Sequence, residues 1–393
     1  MPTTNQQILW AQPSWEHTGA HSAFAPFSRE VTAILPPGSV RLIDGRLLKT
    51  RQLEVWKNRF RRLLGRPLVK SEWVIAREGG VPFYRESSWA IERKVSQIVG
   101  ETNPRAVVLA AMEDQLFFLA KEKRKWQRTR LVGFSHQPPA WWKLHHARPD
   151  LAGALDRLVI VAESARSYWE QYIDPRRIVM MLHGVDTDFF SPSTNDEKLS
   201  THGGALHAVF SGQWLRDFET LAAVVARVDE LDLPVRFELV VPRFARNTAA
   251  CYQLAMSKRV RWHAHLSDEE LRAVYQQADI LLLPLIDSTA NNGLLEGMAC
   301  GIPVIVTDVG GVRDYAKNNF AHLVAPGDAA EIVQLLKHYV ENKAHLAIRG
   351  AAARAHVEQN LSWKQVAEGF VGILTGLDGD HQPVHFGART GNG

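Results

Sequence analysis

The segment from residue 278 to 311, ADILLLPLIDSTANNGLLEGMACGIPVIVTDVGG, constrains this chain more than any other stretch. It opens with a short apolar run, Ile280 to Pro284, of the length and composition of a buried strand. A polar loop follows, Asp287 to Gly293. The apolar-faced segment Leu294 to Cys300 then reads as a helix stopped by Gly301, and Val304 to Thr307 reads as a second buried strand leading to the turn Gly310-Gly311. The order strand, loop, helix, strand is that of a parallel crossover unit, with polar and glycine residues massed where the first strand ends. In open α/β sheets ligands bind at that edge, because helix N-termini and loop amides converge there. Glu296 is expected in the first turn of the helix. There it can brace the helix dipole or accept hydrogen bonds from a ligand hydroxyl.

The same alternation runs along the chain. Ile8 to Ala11, Val107 to Ala110, Leu131 to Phe134, Leu158 to Ala162 and Ile178 to Leu182 read as strands. Trp89 to Ile98, Leu116 to Trp126 and Ala165 to Tyr172 between them read as helices, with Ser164 capping the last. Residues 191 to 205, SPSTNDEKLSTHGGA, have almost no apolar content and read as a linker. Beyond it Ala208 to Ser211, Phe237 to Val241, Val260 to His263, Ile280 to Pro284, Val304 to Thr307 and His322 to Val324 restart the strand series. Ser267-Asp268-Glu269-Glu270 before Leu271 has the form of a capping box. Ala329 to Tyr339, Leu346 to Gln359 and Ser362 to Leu374 read as closing helices. The expected fold is α/β, with two Rossmann-like doubly wound domains facing across a cleft. The expected boundaries are 1–192 for the first domain, 193–205 for the linker and 206–361 for the second domain. A C-terminal helix over 362–375 is expected to return to the first domain, followed by a flexible tail over 376–393.

At 393 residues the chain exceeds one ordinary domain. Two distant cysteines, Cys251 and Cys300, form neither a disulfide framework nor a metal-ligand spacing, which points to a reducing cytoplasm. No apolar run approaches the ~18 residues of a membrane span, and the N-terminus lacks the pattern of a signal peptide. Charge is unevenly distributed. Residues 41–150 hold 23 Lys and Arg against 11 Asp and Glu, and the rest of the chain holds 23 against 31. A basic half suits an anionic partner: phosphate groups, an anionic membrane surface or nucleic acid. The aromatic-basic stacking pattern of nucleic-acid modules is missing, so no nucleic-acid partner is expected.

Thr18-Gly19-Ala20 after the first strand is a single glycine, not a dinucleotide fingerprint. The stretch from Asn291 to Gly311 instead resembles the donor-binding segment of GT-B glycosyltransferases of the family 4 type, with its pattern Gly-x-x-x-Leu-Glu-Ala-Met-Ala-x-Gly-x-Pro-Val-Ile. His183-Gly184-Val185-Asp186, running on to Phe190-Ser191-Pro192, is similar to the family's Asn-Gly-Val-Asp…Phe-x-Pro signature. Ser211-Gly212 looks like its Val-Gly-Arg turn, and Ser362-Trp363 resembles the Ser-Trp that opens its last helix. The resemblance is strong from Gly184 onward and weak before Phe134.

It implies a retaining glycosyltransferase that moves a sugar from a nucleotide-diphosphate sugar, UDP- or GDP-linked, to a hydroxyl acceptor. The acceptor class it implies is a glycan or lipid-linked saccharide of polysaccharide or glycolipid biosynthesis. On that resemblance Glu296 takes the ribose hydroxyls, and Arg216, the local cation after the Ser211-Gly212 turn, takes the phosphates. The amides from Asn292 through Gly293 and Leu294 to Leu295 receive the diphosphate, together with Asn291 at the loop's end. His136, after the strand ending at Phe134, faces the transferred sugar. Gly19, flanked by His17 and His21, lets a backbone approach the cleft. The expected catalytic set is His136, Arg216 and Glu296. The expected donor-binding set adds Gly19, Gly212, Ser288, Asn291, Asn292, Gly293, Leu294 and Leu295. The family's Glu-x7-Glu pattern is broken: Ser288 stands eight residues before Glu296 where the family has a second Glu, with Asp287 beside it. The choice of sugar is therefore open.

The resemblance further implies catalysis by charge stabilisation on the leaving diphosphate, with no cofactor and no metal, and no Asp-x-Asp motif stands near the donor loop. A nucleotide-sugar 2-epimerase of the same fold would use Glu296 as well, and acceptor-independent conversion of the donor would distinguish it. The basic segments Lys57 to Arg66 and Lys121 to Arg130, near Trp141-Trp142-Lys143, suit a peripheral position at the inner face of the membrane.

Overall fold

The computed structural model describes residues 6–13, 19–21, 24–45, 47–48, 59–65, 70–193 and 204–378. The chain forms two compact units. One comprises Met1–Thr18, Ser28–Met181 and Ala367–Gly393; the other comprises Gly19–Phe27 and Leu182–Val366.

The first unit is built on β1 (Ile8–Gln12), β2 (Val40–Asp44), β3 (Ala106–Leu109), β4 (Arg130–Ser135), β5 (Arg157–Ile160) and β6 (Ile178–Met180). All pair in parallel, in the order β2-β1-β3-β4-β5-β6. The second unit has β7 (Leu206–Ser211), β8 (Val235–Val240), β9 (Val260–His263), β10 (Ile280–Leu283), β11 (Val304–Thr307) and β12 (Ala321–Val324). These too are parallel, in the order β12-β11-β10-β7-β8-β9. Parallel sheets are covered on both faces, so their strands read as unbroken apolar runs rather than alternations. Ile280, Leu281, Leu282 and Leu283 are all fully buried, as are Val107, Val108 and Leu109.

Strand order fixes where each sheet can bind a ligand. In the second sheet the chain winds outward from β7 through β8 to β9, then restarts on the other side of β7 with β10. The loops after β7 and β10 therefore border a switch point. In the first sheet the reversal lies at β1, with β2 on one side and β3 on the other.

The expected strands and the return of the last helix hold, with local differences. β2 has no counterpart in the sequence reading, because Arg41 and Leu42 of this edge strand are exposed and its apolar signal is weak. The helix expected over Leu116 to Trp126 is only the short helix Phe118–Glu122 and a 3-10 turn at Lys123–Lys125, with a separate turn of helix, Met112–Gln115, before it. Buried Glu92 divides them, accepting the backbone amides of Phe117 at 2.8 Å, Phe118 at 2.6 Å and Leu119 at 2.7 Å. The expected cap at Ser164 is not formed; the helix Arg166–Trp169 has no side-chain cap, and Glu163 pairs with Arg166 instead. The box at Ser267 is formed, with Glu270 closing it. Most of the 191–205 linker and residues 379–393 of the tail lie outside the described residues.

The closing helix runs Trp363–Thr375, and from Ala367 it belongs to the first unit. Phe370, fully buried, sets its ring edge-on to Trp10 at 5.8 Å and tilted against Phe134 at 5.1 Å. Arg105 Nη2 donates to the carbonyl of Thr375 at 3.1 Å. Phe370 holds the helix end to the first sheet. Phe370→Ala is expected to cost about 3–5 kcal/mol, read as a lower urea midpoint for the first unit with the second unit's transition unmoved.

Candidate active site

In the second unit the chemistry gathers at the switch point. Ser211 ends β7, and Gly212 follows with φ of +93°. A Cβ on Gly212 would stand 2.6 Å from Arg216 Nη2, so glycine is needed both for the backbone and for the arginine's approach. Arg216 donates from Nε to the Ser211 carbonyl at 2.7 Å, from Nη1 to the Trp214 carbonyl at 2.9 Å and from Nη2 to Asn291 Oδ1 at 3.0 Å. The two loops are also joined through their backbones. Asp217 N donates to Pro284 O at 3.0 Å, and Ile286 N to Leu215 O at 3.0 Å. Burial lowers the Arg216 guanidinium to about 10, against the upward pull of Tyr275 and Glu296; at neutral pH it remains a cation.

Asn291 is the N-cap of the helix Asn292–Ala299, its Oδ1 accepting from Leu294 N at 3.2 Å. Leu295 N donates to the Asn291 carbonyl at 3.1 Å. Of the four amides expected to meet a diphosphate, those of Leu294 and Leu295 are therefore engaged by the cap, which leaves those of Asn292 and Gly293. A Cβ at Gly293 would make ordinary contact with Arg216, 3.5 Å from its Nη2, so the space there does not require glycine. Glu296 stands at the fifth helical residue, past the first turn in which it was expected, because the helix starts at Asn292 rather than at Leu294. It is buried and accepts from Tyr275 Oη at 3.0 Å. Burial and the adjoining carboxylate raise the Tyr275 phenol well above its usual value, so Tyr275 is the donor. Tyr275 belongs to the helix Asp268–Gln277, and its spacing along the sequence carries no sign of this role.

The loop between β10 and that helix is held from below. Leu285 N donates to Thr307 Oγ1 at 2.9 Å, and Gly311 N donates to the Ser288 carbonyl at 2.8 Å. Ser288 is buried, with its hydroxyl donating to the Thr289 carbonyl at 3.2 Å. The carboxylate nearest the place of the family's missing Glu is that of Asp287. It accepts its neighbour's amide, Ser288 N, at 2.7 Å, and burial raises its pKa. Gly310, at φ +51°, passes so close that a Cβ would meet Asp287 Oδ1 at 2.6 Å.

Two motifs nearly 180 residues apart in sequence meet in this unit. Val185 N donates to the Leu361 carbonyl at 2.8 Å and Trp363 N to the Val185 carbonyl at 3.1 Å. A Cβ at Gly184 would meet the Trp363 ring at 2.6 Å. His183 is buried beside that ring, and burial lowers its imidazole to about 4, so it is neutral near pH 7. Gly19 lies against Asp268, whose Oδ2 accepts Ala20 N at 2.7 Å. His21 pairs with Asp186 at 2.8 Å and stacks on Phe189. His17 lies outside the described residues.

In the first unit His136 follows β4 with its ring fixed, Nε2 lying 2.9 Å from the carbonyl of Ala110. Glu113, in the short helix Met112–Gln115 that follows β3, accepts the amides of His136 and, at 3.0 Å, of Gln137 through Oε1. Glu113 is buried, and desolvation raises its carboxyl to about 7 against those bonds. Glu113 escaped the sequence reading because its neighbours Met112 and Asp114 give it no motif. A raised carboxyl favours the fold most when protonated. Its contribution is complete below the ordinary value of 4.5 and is lost as pH rises through about 7. Across that window the native chain is expected to lose stability relative to Glu113→Gln, measured as the pH dependence of the urea midpoint of each. No group of His, Cys, Asp and Glu able to hold a metal occurs among the described residues.

Comparison with known proteins agrees with this geometry. Residues 207–342 match the family model described as Glycosyl transferases group 1. A D-inositol 3-phosphate glycosyltransferase of Rhodococcus opacus is 25% identical over 270 residues, 61% of this chain and 58% of that protein. An MMP alpha-(1->4)-mannosyltransferase of Mycolicibacterium hassiacum is 23% identical over 255 residues, 63% of this chain and 59% of that protein. The chain thus spans less than two thirds of the length of these curated relatives. Among solved structures, sucrose-phosphate synthase from Thermosynechococcus elongatus superposes with a TM-score of 0.70 at 13% identity, covering 95% of this chain and 99% of that one. Anabaena Alr3699/HepE, solved in complex with UDP and glucose, does so with a TM-score of 0.66 at 14% identity, covering 94% and 99%. Two parallel six-stranded sheets and the superposition on these structures give this chain the GT-B fold, and its residues 207–342 are similar to the glycosyl transferases of group 1.

Proposed function

We propose that the chain is a retaining glycosyltransferase that moves a hexosyl group from a nucleotide-diphosphate sugar to a hydroxyl of a glycan or lipid-linked saccharide. The observation that carries this is the Arg216–Asn291 contact at the start of the helix Asn292–Ala299, with Glu296 one turn further in. A diphosphate needs a cation and donor amides; Arg216 and the Asn292 and Gly293 amides supply them. A ribose diol needs a fixed acceptor carboxylate. Glu296, oriented by Tyr275, is one. As the glycosidic bond to the diphosphate breaks, negative charge grows on the leaving phosphate, and a cation fixed in place stabilises it without rearranging. The leaving phosphate takes the acceptor's proton on the same face of the sugar, so configuration is retained. The reaction draws on no cofactor beyond the donor itself. His136 faces the transferred sugar on this reading, and Asp287 takes up part of the role of the missing carboxylate.

Glu296→Ala and Arg216→Ala are each expected to lower transfer by about a hundredfold or more. Normal turnover by both variants would remove the donor assignment. A thermal-shift comparison of UDP, GDP and ADP with their sugars identifies the base: the matching nucleotide raises the melting temperature of the native chain and fails to do so for Arg216→Ala.

The chain acts, on this reading, in the cytoplasm at the inner face of the membrane. Phe60, Leu63 and Leu64 are exposed at 65%, 79% and 55%, interleaved with Arg59, Arg61 and Arg62, which suits an anionic lipid surface. No helix among the described residues is long and apolar enough to cross a membrane. Sedimentation with anionic vesicles at low salt is expected to carry the chain down, and neutral vesicles are expected to leave it in solution.

A further inference from the structure

Positive charge gathers at the edge of the first sheet where its strands begin, opposite the edge at which His136 follows β4. Arg130 opens β4, Arg157 opens β5, and Arg177 directly precedes β6. Val132 pairs with Arg157 and Leu158 with Ile178, so the three arginines stand at the starts of three neighbouring parallel strands. Lys123, in the 3-10 turn before β4, joins them: its Nζ lies 3.1 Å from Asp156 Oδ2, and Arg130 Nη1 lies 3.5 Å from Asp156 Oδ1. Arg157 is buried and donates from Nη1 to the backbone carbonyl of Asp156 at 2.9 Å. The basic segment Lys121 to Arg130 thus leads into β4, whereas Trp141 and Trp142 follow that strand and are buried. The two motifs lie at its opposite ends.

Four cations therefore meet around one carboxylate. That carboxylate is already engaged, since Asp156 Oδ2 also accepts the amide of Leu131 at 2.7 Å. Asp174, before β6, is held by Arg176 at 2.6 Å. Burial, then the neighbouring Arg130 and Arg177, lower the Arg157 guanidinium below its ordinary value against the pull of Asp156. An excess of like charge is tolerated in water or where an anion balances it. Arg157 is out of water, whereas Arg130, its side chain 42% exposed, and half-buried Arg177 reach it. A carboxylate would answer one guanidinium. A phosphate group carries up to two charges and several acceptor oxygens, which the forks of two arginines match. Arg130 and Arg177 start two strands apart, roughly 10 Å, a span that two arginine side chains close on one phosphate.

We infer that this edge of the first sheet is a phosphate-binding site, with Arg130 and Arg177 as the contacting residues and Arg157 and Lys123 supplying charge behind them. The ligand is a phosphate group, carried by a soluble molecule or by a lipid headgroup. The site is separate from the donor machinery and does not rest on the transferase reading.

The test is calorimetric titration of the full chain with inorganic phosphate at low salt. Sedimentation runs in parallel, with vesicles of phosphatidylcholine alone and of phosphatidylcholine mixed with phosphatidic acid. Arg130→Gln and Arg177→Gln are each expected to weaken binding by about tenfold. Arg177→Lys, which keeps the charge, is expected to weaken it less than Arg177→Gln. Phosphate held at the donor site is told apart by Arg216→Ala, which leaves the binding that depends on Arg130 and Arg177 in place. Saturable binding of free phosphate that both Gln variants weaken supports the site with a soluble ligand. Binding to the phosphatidic acid vesicles that both variants weaken, without saturation by free phosphate, supports it with a lipid headgroup. Binding of either probe that neither substitution weakens overturns the proposal, as does failure of both probes to bind the native chain. If one Gln variant fails to fold, the other carries the same outcomes.

Discussion

The second unit depends on one guanidinium. Arg216 binds the carbonyl that ends β7, a carbonyl in its own loop and the side chain that caps the helix after β10. Those groups come from two loops joined by a single antiparallel bridge, Arg216 to Leu285, at the point where the winding of the sheet reverses. Holding the arginine there has local costs. Gly212 takes a left-handed backbone, Leu215 takes one at φ 55° without being glycine, and the guanidinium loses part of its hydration. Three charge-assisted hydrogen bonds and two backbone bonds between the loops offset them. A cation so placed, with helix amides beside it, is suited to an anion before any ligand arrives.

The two units share a construction and differ in the sign of what it presents. In each, a charged side chain that follows a strand at the switch point of a six-stranded parallel sheet is fixed by hydrogen bonds to neighbouring backbone. In the second unit that side chain is Arg216 and presents positive charge. In the first it is Glu113, a carboxyl held by the amides of His136 and Gln137 and partly protonated near neutrality. A guanidinium answers phosphate oxygens; a half-titrated carboxyl answers hydroxyls.

Much of the fold was legible in the residues. Fully buried parallel strands such as Ile280–Leu283 leave an unbroken apolar signature, and eleven of the twelve described strands were legible from the sequence, although β8 and β9 break the apolar run with charged residues. Edge strand β2 did not, because Arg41 and Leu42 face solvent. Helix limits were harder where a side chain overrides propensity, as Glu92 does by capping the backbone after Leu116 and Asn291 by starting its helix two residues early. Pairings distant in sequence left no trace in it. Nothing local to Tyr275 announces that it will orient Glu296, nor to Gly184 that Trp363 will pack against it.

The sequence by itself determined the two sheets, the family's donor segment and the residue types at its helix start, since periodicity and motif spacing are local properties of the chain. Only the tertiary structure decided which of those groups are already spoken for. The amides of Leu294 and Leu295 belong to the cap, the Ser288 hydroxyl to a backbone carbonyl, and the ring of His136 to Ala110. It also decided that Glu113, unremarkable in the sequence, is a buried carboxyl with one oxygen anchored by the amides of His136 and Gln137. Hydrogen-bond satisfaction and desolvation depend on which atoms become neighbours in space, and for residues this far apart that is settled only when the strands have paired.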